Sequence, residues 1–119
     1  MTKVGPLKVL VVDDSAALRQ TVRQMWGGAN VVILEAASGE EAVARYAEER
    51  PDWVVMDLRM PGMGGLRAIQ AIRKLDAQAR VIAMSQFKGP DCTAAAEQAG
   101  AMRFVDKEDL MLLPRIIQP

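Results

Sequence analysis

The 119-residue sequence contains no histidine. Any reaction that depends on an imidazole base, nucleophile or metal ligand is therefore excluded. A single cysteine, Cys92, rules out an internal disulfide and the cysteine-rich zinc sites, and it suits a reducing cytoplasm. Neither sign of charge is in excess, with Lys+Arg and Asp+Glu at 15 each. Nothing is basic enough to hold a nucleic-acid backbone by charge alone. No apolar run approaches the ~18 residues of a membrane-spanning helix. The segment MTKVGPLKVL has no long apolar stretch and no small-residue cleavage site, so no secretion signal is expected. Low-complexity segments and internal linkers are missing as well. What remains is ordinary globular composition, 50% apolar and 25% charged. The length suits one domain over 1–119 with one core. A cytoplasmic domain with no membrane contact and no direct nucleic-acid contact is expected.

Short apolar runs alternate with amphipathic stretches of about a dozen residues. The runs are Leu7–Val12, Val31–Glu35, Trp53–Met56, Val81–Met84 and Arg103–Val105. LKVLVV and DWVVM have almost no polar alternation, the pattern of strands buried on both faces of a parallel sheet. The first helix is expected from Ser15, with Leu18, Val22, Met25 and Trp26 on one face and Gly27–Gly28 as its stop. The second opens on the capping box Ser38–Glu41, presents Ala42, Val43, Tyr46 and Ala47, and ends before Pro51. The third follows Gly64–Gly65 and carries Leu66, Ile69, Ile72 and Leu75. The fourth runs from about Asp91 to Ala99 and stops at Gly100. The fifth follows Lys107, and Pro114 either kinks it or starts it. Five βα units give an α/β sandwich with right-handed crossovers, and its active crevice lies beyond the carboxyl ends of the strands.

Those strand ends carry the chemistry. The first ends in Asp13 and Asp14, the third in Asp57, the fourth in Ser85 and the fifth in Lys107. The second ends in EAASG and adds no such group, as expected of a far-edge strand. Three carboxylates close together repel one another and raise each other's pKa. Mg²⁺, an oxygen-seeking ion that keeps several waters, resolves that repulsion. It also neutralises charge on an incoming phosphate. Ser85 can donate to a phosphoryl oxygen and Lys107 can pair with one. The set suits formation of an acyl phosphate on Asp57. Each member has a plainer reading: Asp13–Asp14 as a helix cap, Ser85 as a loop residue, Lys107 as a solvated charge. The combination favours the metal reading. The eight methionines, Cys92, Trp26 and Trp53 read as packing residues.

VLVVDDS, EAASGEEAV, DWVVMDLRMPGMGGL, VIAMS and AGAMRFVDK follow in an order and spacing that resemble the receiver domain of bacterial two-component response regulators. The resemblance covers nearly the whole chain and implies a doubly wound, flavodoxin-like sheet of strand order 2-1-3-4-5 with helices on both faces. It implies phosphoryl transfer to Asp57 from a sensor histidine kinase or phosphotransfer protein. It implies Mg²⁺ bound directly by Asp14, mainly through water by Asp13, by Asp57, and by the backbone carbonyl of Arg59. Ser85 and Lys107 would hold the phosphoryl oxygens, and Phe104 would change rotamer as Ser85 moves. The signal would reach the face formed by helix 4, strand 5 and helix 5. Dimerisation through the last helix is common in the family.

The sequence departs from the family pattern at three places. Glu108 follows the lysine where a cis-proline is common. Gly64 stands where Asp often caps the third helix. Gln86 and Phe87 follow the serine where a small residue is usual, and with Arg59 they would control access to the site. Two rival functions follow from different classes. A metal-dependent aspartyl phosphatase needs an acid two residues after its nucleophile, and here that residue is Arg59. A receiver-like interaction module that takes no phosphate is the other, and phosphorylation in Mg²⁺ separates it from the main reading.

Overall fold

The structure is a computed structural model that describes residues 5–26, 30–86 and 90–118. Five parallel strands, β1 (Leu7–Val12), β2 (Val31–Ala36), β3 (Trp53–Asp57), β4 (Val81–Ser85) and β5 (Arg103–Asp106), form one sheet in the order β2-β1-β3-β4-β5. This is the expected doubly wound order. All five residues of β3 and of β4 are buried, as their unbroken apolar runs require. Four strands continue one residue past the apolar run that marked them. Asp57, Ser85 and Asp106 are each the last residue of a strand.

Helices α1 (Ala16–Gln24), α2 (Gly39–Glu49), α3 (Gly65–Leu75), α4 (Pro90–Ala99) and α5 (Leu113–Ile116) cover both faces. One core lies between the sheet and α2, α3 and α4, with Leu10, Met56, Ala83, Ile69 and Ile72 at its centre. The other lies between the sheet and α1 and α5, built on Val9, Val55, Met84, Val22 and Leu113. Trp53 packs in this second core, and its Nε1–H donates to the Gln118 carbonyl at 3.2 Å.

The local signals are mostly realised. Ser15 caps α1 by accepting from the Leu18 N–H, and Ser38 caps α2 by accepting from the Glu41 N–H. Glu41 reaches back to the Ala37 N–H, one residue beyond the Ser38 N–H that a capping box predicts. The Gly27–Gly28 stop lies outside the described residues, and α1 itself ends at Gln24. On α2, Ala42 and Tyr46 are buried but Ala47 is exposed; on α3, Leu75 is 43% exposed because it closes the last turn. Gly64 sits at φ 79° and ψ 163°, a region that glycine alone adopts readily, so an Asp cap there would be strained. The fifth helix resolves into two pieces. A 3₁₀ segment spans Lys107–Leu112, and Pro114 then lies in the first turn of the four-residue α5, where its missing N–H costs nothing.

Candidate functional site

Strand register decides which side chains can meet. Paired residues of parallel neighbours point to the same side of the sheet, and successive residues alternate. Val12 pairs with Met56, Asp57 with Met84, and Met84 with Val105. Asp13, one past Val12, therefore shares the side of Asp57. Lys107, two past Val105, shares it too. This is the α1/α5 side. Ser85 pairs with Asp106 and Ala83 with Phe104, so Ser85 and Phe104 belong to the α2–α4 side.

The carboxylates and the lysine converge accordingly. Lys107 Nζ stands 2.9 Å from Asp13 Oδ2 and 3.4 Å from Asp57 Oδ2. The other oxygens are taken by backbone: Asp13 Oδ1 accepts from the Ser15 N–H at 2.8 Å, and Asp57 Oδ1 from the Arg59 N–H at 3.1 Å. Asp13 and Asp57 are buried, at 0% and 1% exposure, while Asp14 is exposed at the rim. One oxygen from each of the three carboxylates lies within 4.8 Å of the others. A cavity of about 240 Å³ opens over them, lined also by Ser15, Arg59, Gln86 and Lys107.

Burial pushes the Asp57 carboxyl above its usual range. The Arg59 N–H opposes that push, the Asp13 charge adds to it, and Lys107 opposes it again. Burial also pulls Lys107 down, but its contacts with Asp13 and Asp57 outweigh that, and its net shift is upward. One ammonium thus serves two buried carboxylates.

The glutamate after Lys107 does not displace the lysine. Asp106 caps the 3₁₀ segment by accepting the Glu108 N–H at 2.9 Å, a donor that a proline would lack. Ser85 is buried on the other side of the sheet from Asp57 by register. It lines a second cavity of about 240 Å³ with Leu58, Leu66, Asp91, Cys92 and Ala95, and Arg59 borders both cavities. Phe104 is half-buried against the core on that same side. Gln86 is exposed at the cleft mouth, and Phe87 lies outside the described residues. A larger cavity, about 480 Å³, opens beside Gln70, Arg73, Lys74, Ala77 and Ala99 and holds none of these residues.

Three contributors are not evident from the strand-end pattern. Arg19 Nη1 donates to the Asp13 carbonyl at 2.7 Å, and Arg19 Nε to Glu35 Oε1 at 2.8 Å. Glu40 accepts the Met63 N–H at 3.0 Å and so ties down the loop after Asp57. A glutamate inside the apolar run VVILEA, facing arginines at i and i+4 of the first helix, is the one signal that could have revealed the first pair.

Comparison with known proteins agrees with the geometry. The family model of the response regulator receiver domain matches residues 9–117. The chemotaxis protein CheY of Bacillus subtilis is 39% identical over 101 residues, 84% of this chain and 84% of that protein. The solved Vibrio cholerae chemotaxis protein CheY4 superposes with a TM-score of 0.85 at 28% identity, covering 95% of this chain and 100% of that one. A chain of the CheX–CheY–BeF3–Mg²⁺ complex from Borrelia burgdorferi superposes with a TM-score of 0.81 at 28% identity, covering 96% and 92%.

Proposed function

The chain belongs to the response regulator receiver family, the phosphoacceptor signalling domain of two-component systems, and from that premise we propose that Asp57 is the residue that takes the phosphoryl group. The observation that carries this is a buried carboxylate at the end of β3, 3.4 Å from Lys107 and clustered with Asp13 and Asp14. We read residues 1–119 as one such domain, acting in the cytoplasm. Among the described residues no helix is long and apolar enough to cross a membrane.

The donor set fits Mg²⁺. Two oxygens bound directly to one Mg²⁺ stand at most about 4.2 Å apart, since each bond is about 2.1 Å. Oxygens within 4.8 Å of one another can share that ion if one carboxylate is reached through water. Asp14 and Asp57 are the direct ligands in this reading, Asp13 acts mainly through water, and the Arg59 carbonyl completes the protein's share. Bound Mg²⁺ would offset the charge that a donor phosphate brings to three carboxylates.

An Asp57 oxygen forms the new O–P bond as the donor's P–N bond breaks, and the departing imidazole nitrogen keeps the bonding pair. The product is an acyl phosphate. Lys107 then transfers its pairing from Asp13 to a phosphoryl oxygen. Ser85 turns from the α2–α4 side toward the new charge. Phe104 sits diagonal to Ser85 across the β4–β5 ladder, so it is the neighbour that moves with the serine and passes the change to α4, β5 and α5. Receiver domains exchange phosphate with histidine kinases or phosphotransfer proteins, and a partner of that class is expected here. The acyl phosphate is lost slowly by hydrolysis, without turnover of an external substrate. Arg59 and Gln86 flank the path of the attacking water. A receiver-like module indifferent to phosphate is disfavoured, because every charged group of the reaction is retained.

The test is mass spectrometry after incubation with acetyl phosphate and Mg²⁺. The parent should gain one phosphoryl group and Asp57→Asn none. Equal uptake by Asp57→Asn would refute the assignment.

A further inference from the structure

We propose that Arg19, braced by Glu35, is a positioning residue for the Mg²⁺ site, acting on the peptide that joins Asp13 to Asp14. The proposal rests on the reading of the three carboxylates as that site. β1 ends at Val12, and the last backbone contact of this edge is the Asp13 N–H to the Ala36 carbonyl at 3.1 Å. The Asp13 carbonyl lies beyond the ladder. It is received by Arg19 Nη1 at 2.7 Å. That carbonyl belongs to the peptide plane between the two acids, so its orientation sets how Asp14 leaves the strand. Asp13 follows the same plane, because its Oδ1 is committed to the Ser15 N–H two residues on.

The arginine is itself held. Its Nε donates to Glu35 Oε1 at 2.8 Å, and Arg23 holds Glu35 Oε2 at 2.6 Å. The Arg19 side chain is only 17% exposed. A forked, rigid guanidinium can bridge a carbonyl and a carboxylate at once, whereas an ammonium on a flexible stem cannot do so with the same geometry. Groups that orient metal ligands in this way commonly change metal affinity when removed. Arg23 touches Glu35 and the Ile33 carbonyl and is one step further from the acids.

The experiment is a Mg²⁺ titration of the unphosphorylated protein, read by the backbone amide NMR shifts of Asp13, Asp14 and Asp57. Arg19→Ala should bind Mg²⁺ about tenfold more weakly than the parent. Arg19→Lys should fall between them, and Arg23→Ala should stay close to the parent. Phosphoryl uptake by Arg19→Ala should return to the parent rate at saturating Mg²⁺, a recovery that a general loosening of the fold would not give. Parent-like Mg²⁺ affinity in Arg19→Ala overturns the proposal, as does a failure of saturating Mg²⁺ to restore uptake. If Arg19→Ala does not fold, parent-like affinity in Arg19→Lys overturns it. Absence of any Mg²⁺ response in the parent would instead remove the metal reading on which it stands.

Discussion

The two ends of the sheet handle carboxylates in opposite ways. At the amino ends of the strands, Asp52 Oδ2 accepts the Lys8 N–H at 2.7 Å. Asp76 nearby accepts the Tyr46 hydroxyl at 2.8 Å and the Gln78 N–H at 2.9 Å, with Arg50 at 3.7 Å. Those contacts, the Tyr46 hydrogen bond first, hold the Asp76 carboxyl below its usual range. At the carboxyl ends, Asp13 and Asp57 are buried together and share one lysine, and burial drives Asp57 upward instead. Charge is satisfied at one end and left in surplus at the other. Paired carboxylates fasten loops and helix ends, whereas the crowded ones are, in the proposed function, the group that takes a cation and a phosphoryl group.

This contrast can be broken first at the backbone that supports the crowded end. A Cβ added at Gly65 would run into the Asp57 carbonyl oxygen, because α3 begins directly against the end of β3. Gly65→Ala should cost about 3 kcal/mol of stability and impair phosphoryl uptake, measured by denaturant unfolding and by mass. At the satisfied end the expected effect is smaller. Tyr46→Phe should cost about 1 kcal/mol at neutral pH, the worth of one hydrogen bond.

That residue also carries a pH signature. Burial, then Asp76, pushes the Tyr46 hydroxyl up to about 12. Its folded pKa lies above the unfolded value of about 10, so its stabilising contribution is intact below about pH 10 and is lost as the pH rises towards about 12. The stability gap between parent and Tyr46→Phe should therefore close across that window, which unfolding at successive pH values would follow. The smallest effect belongs to the cleft mouth. Gln86→Ala should speed both uptake from acetyl phosphate and loss of the phosphoryl group by about threefold, roughly 0.65 kcal/mol of barrier. Unchanged rates in saturating Mg²⁺ would mean that Gln86 does not gate the cleft.

The alternation of apolar runs and capped amphipathic stretches is enough to place the strands, the helices and the end of the sheet where the candidate site lies. Asp13, Asp57 and Lys107 meet as that reading requires. Ser85, at the same end of the sheet, belongs to the other side, and the reason is register. Asp57 pairs with Met84, so Ser85 falls on the opposite side, and no local pattern in either strand reveals that pairing. The apolar runs stop one residue before the ladder does at Asp57, Ser85 and Asp106, because the apolar signal gives way where the polar strand-end residues begin. Arg19 is not legible in the sequence, since a basic residue on a helix surface reads as solvated until its carbonyl partner is known. The 3₁₀ segment after Lys107 depends on the Asp106 cap and on Leu110 entering the core, and that burial is a tertiary effect.

The most direct measurement of the contrast is equilibrium unfolding of Asp57→Asn beside Asp76→Asn, at neutral pH and without Mg²⁺. Neutralising the crowded carboxylate removes a buried charge that the fold disfavours, and neutralising the paired one removes a charge that the fold favours. Asp57→Asn should therefore raise the unfolding midpoint and Asp76→Asn should lower it. A lowered midpoint in Asp57→Asn would contradict the account, because it would mean that the carboxylate at the end of β3 stabilises the fold rather than being held against it.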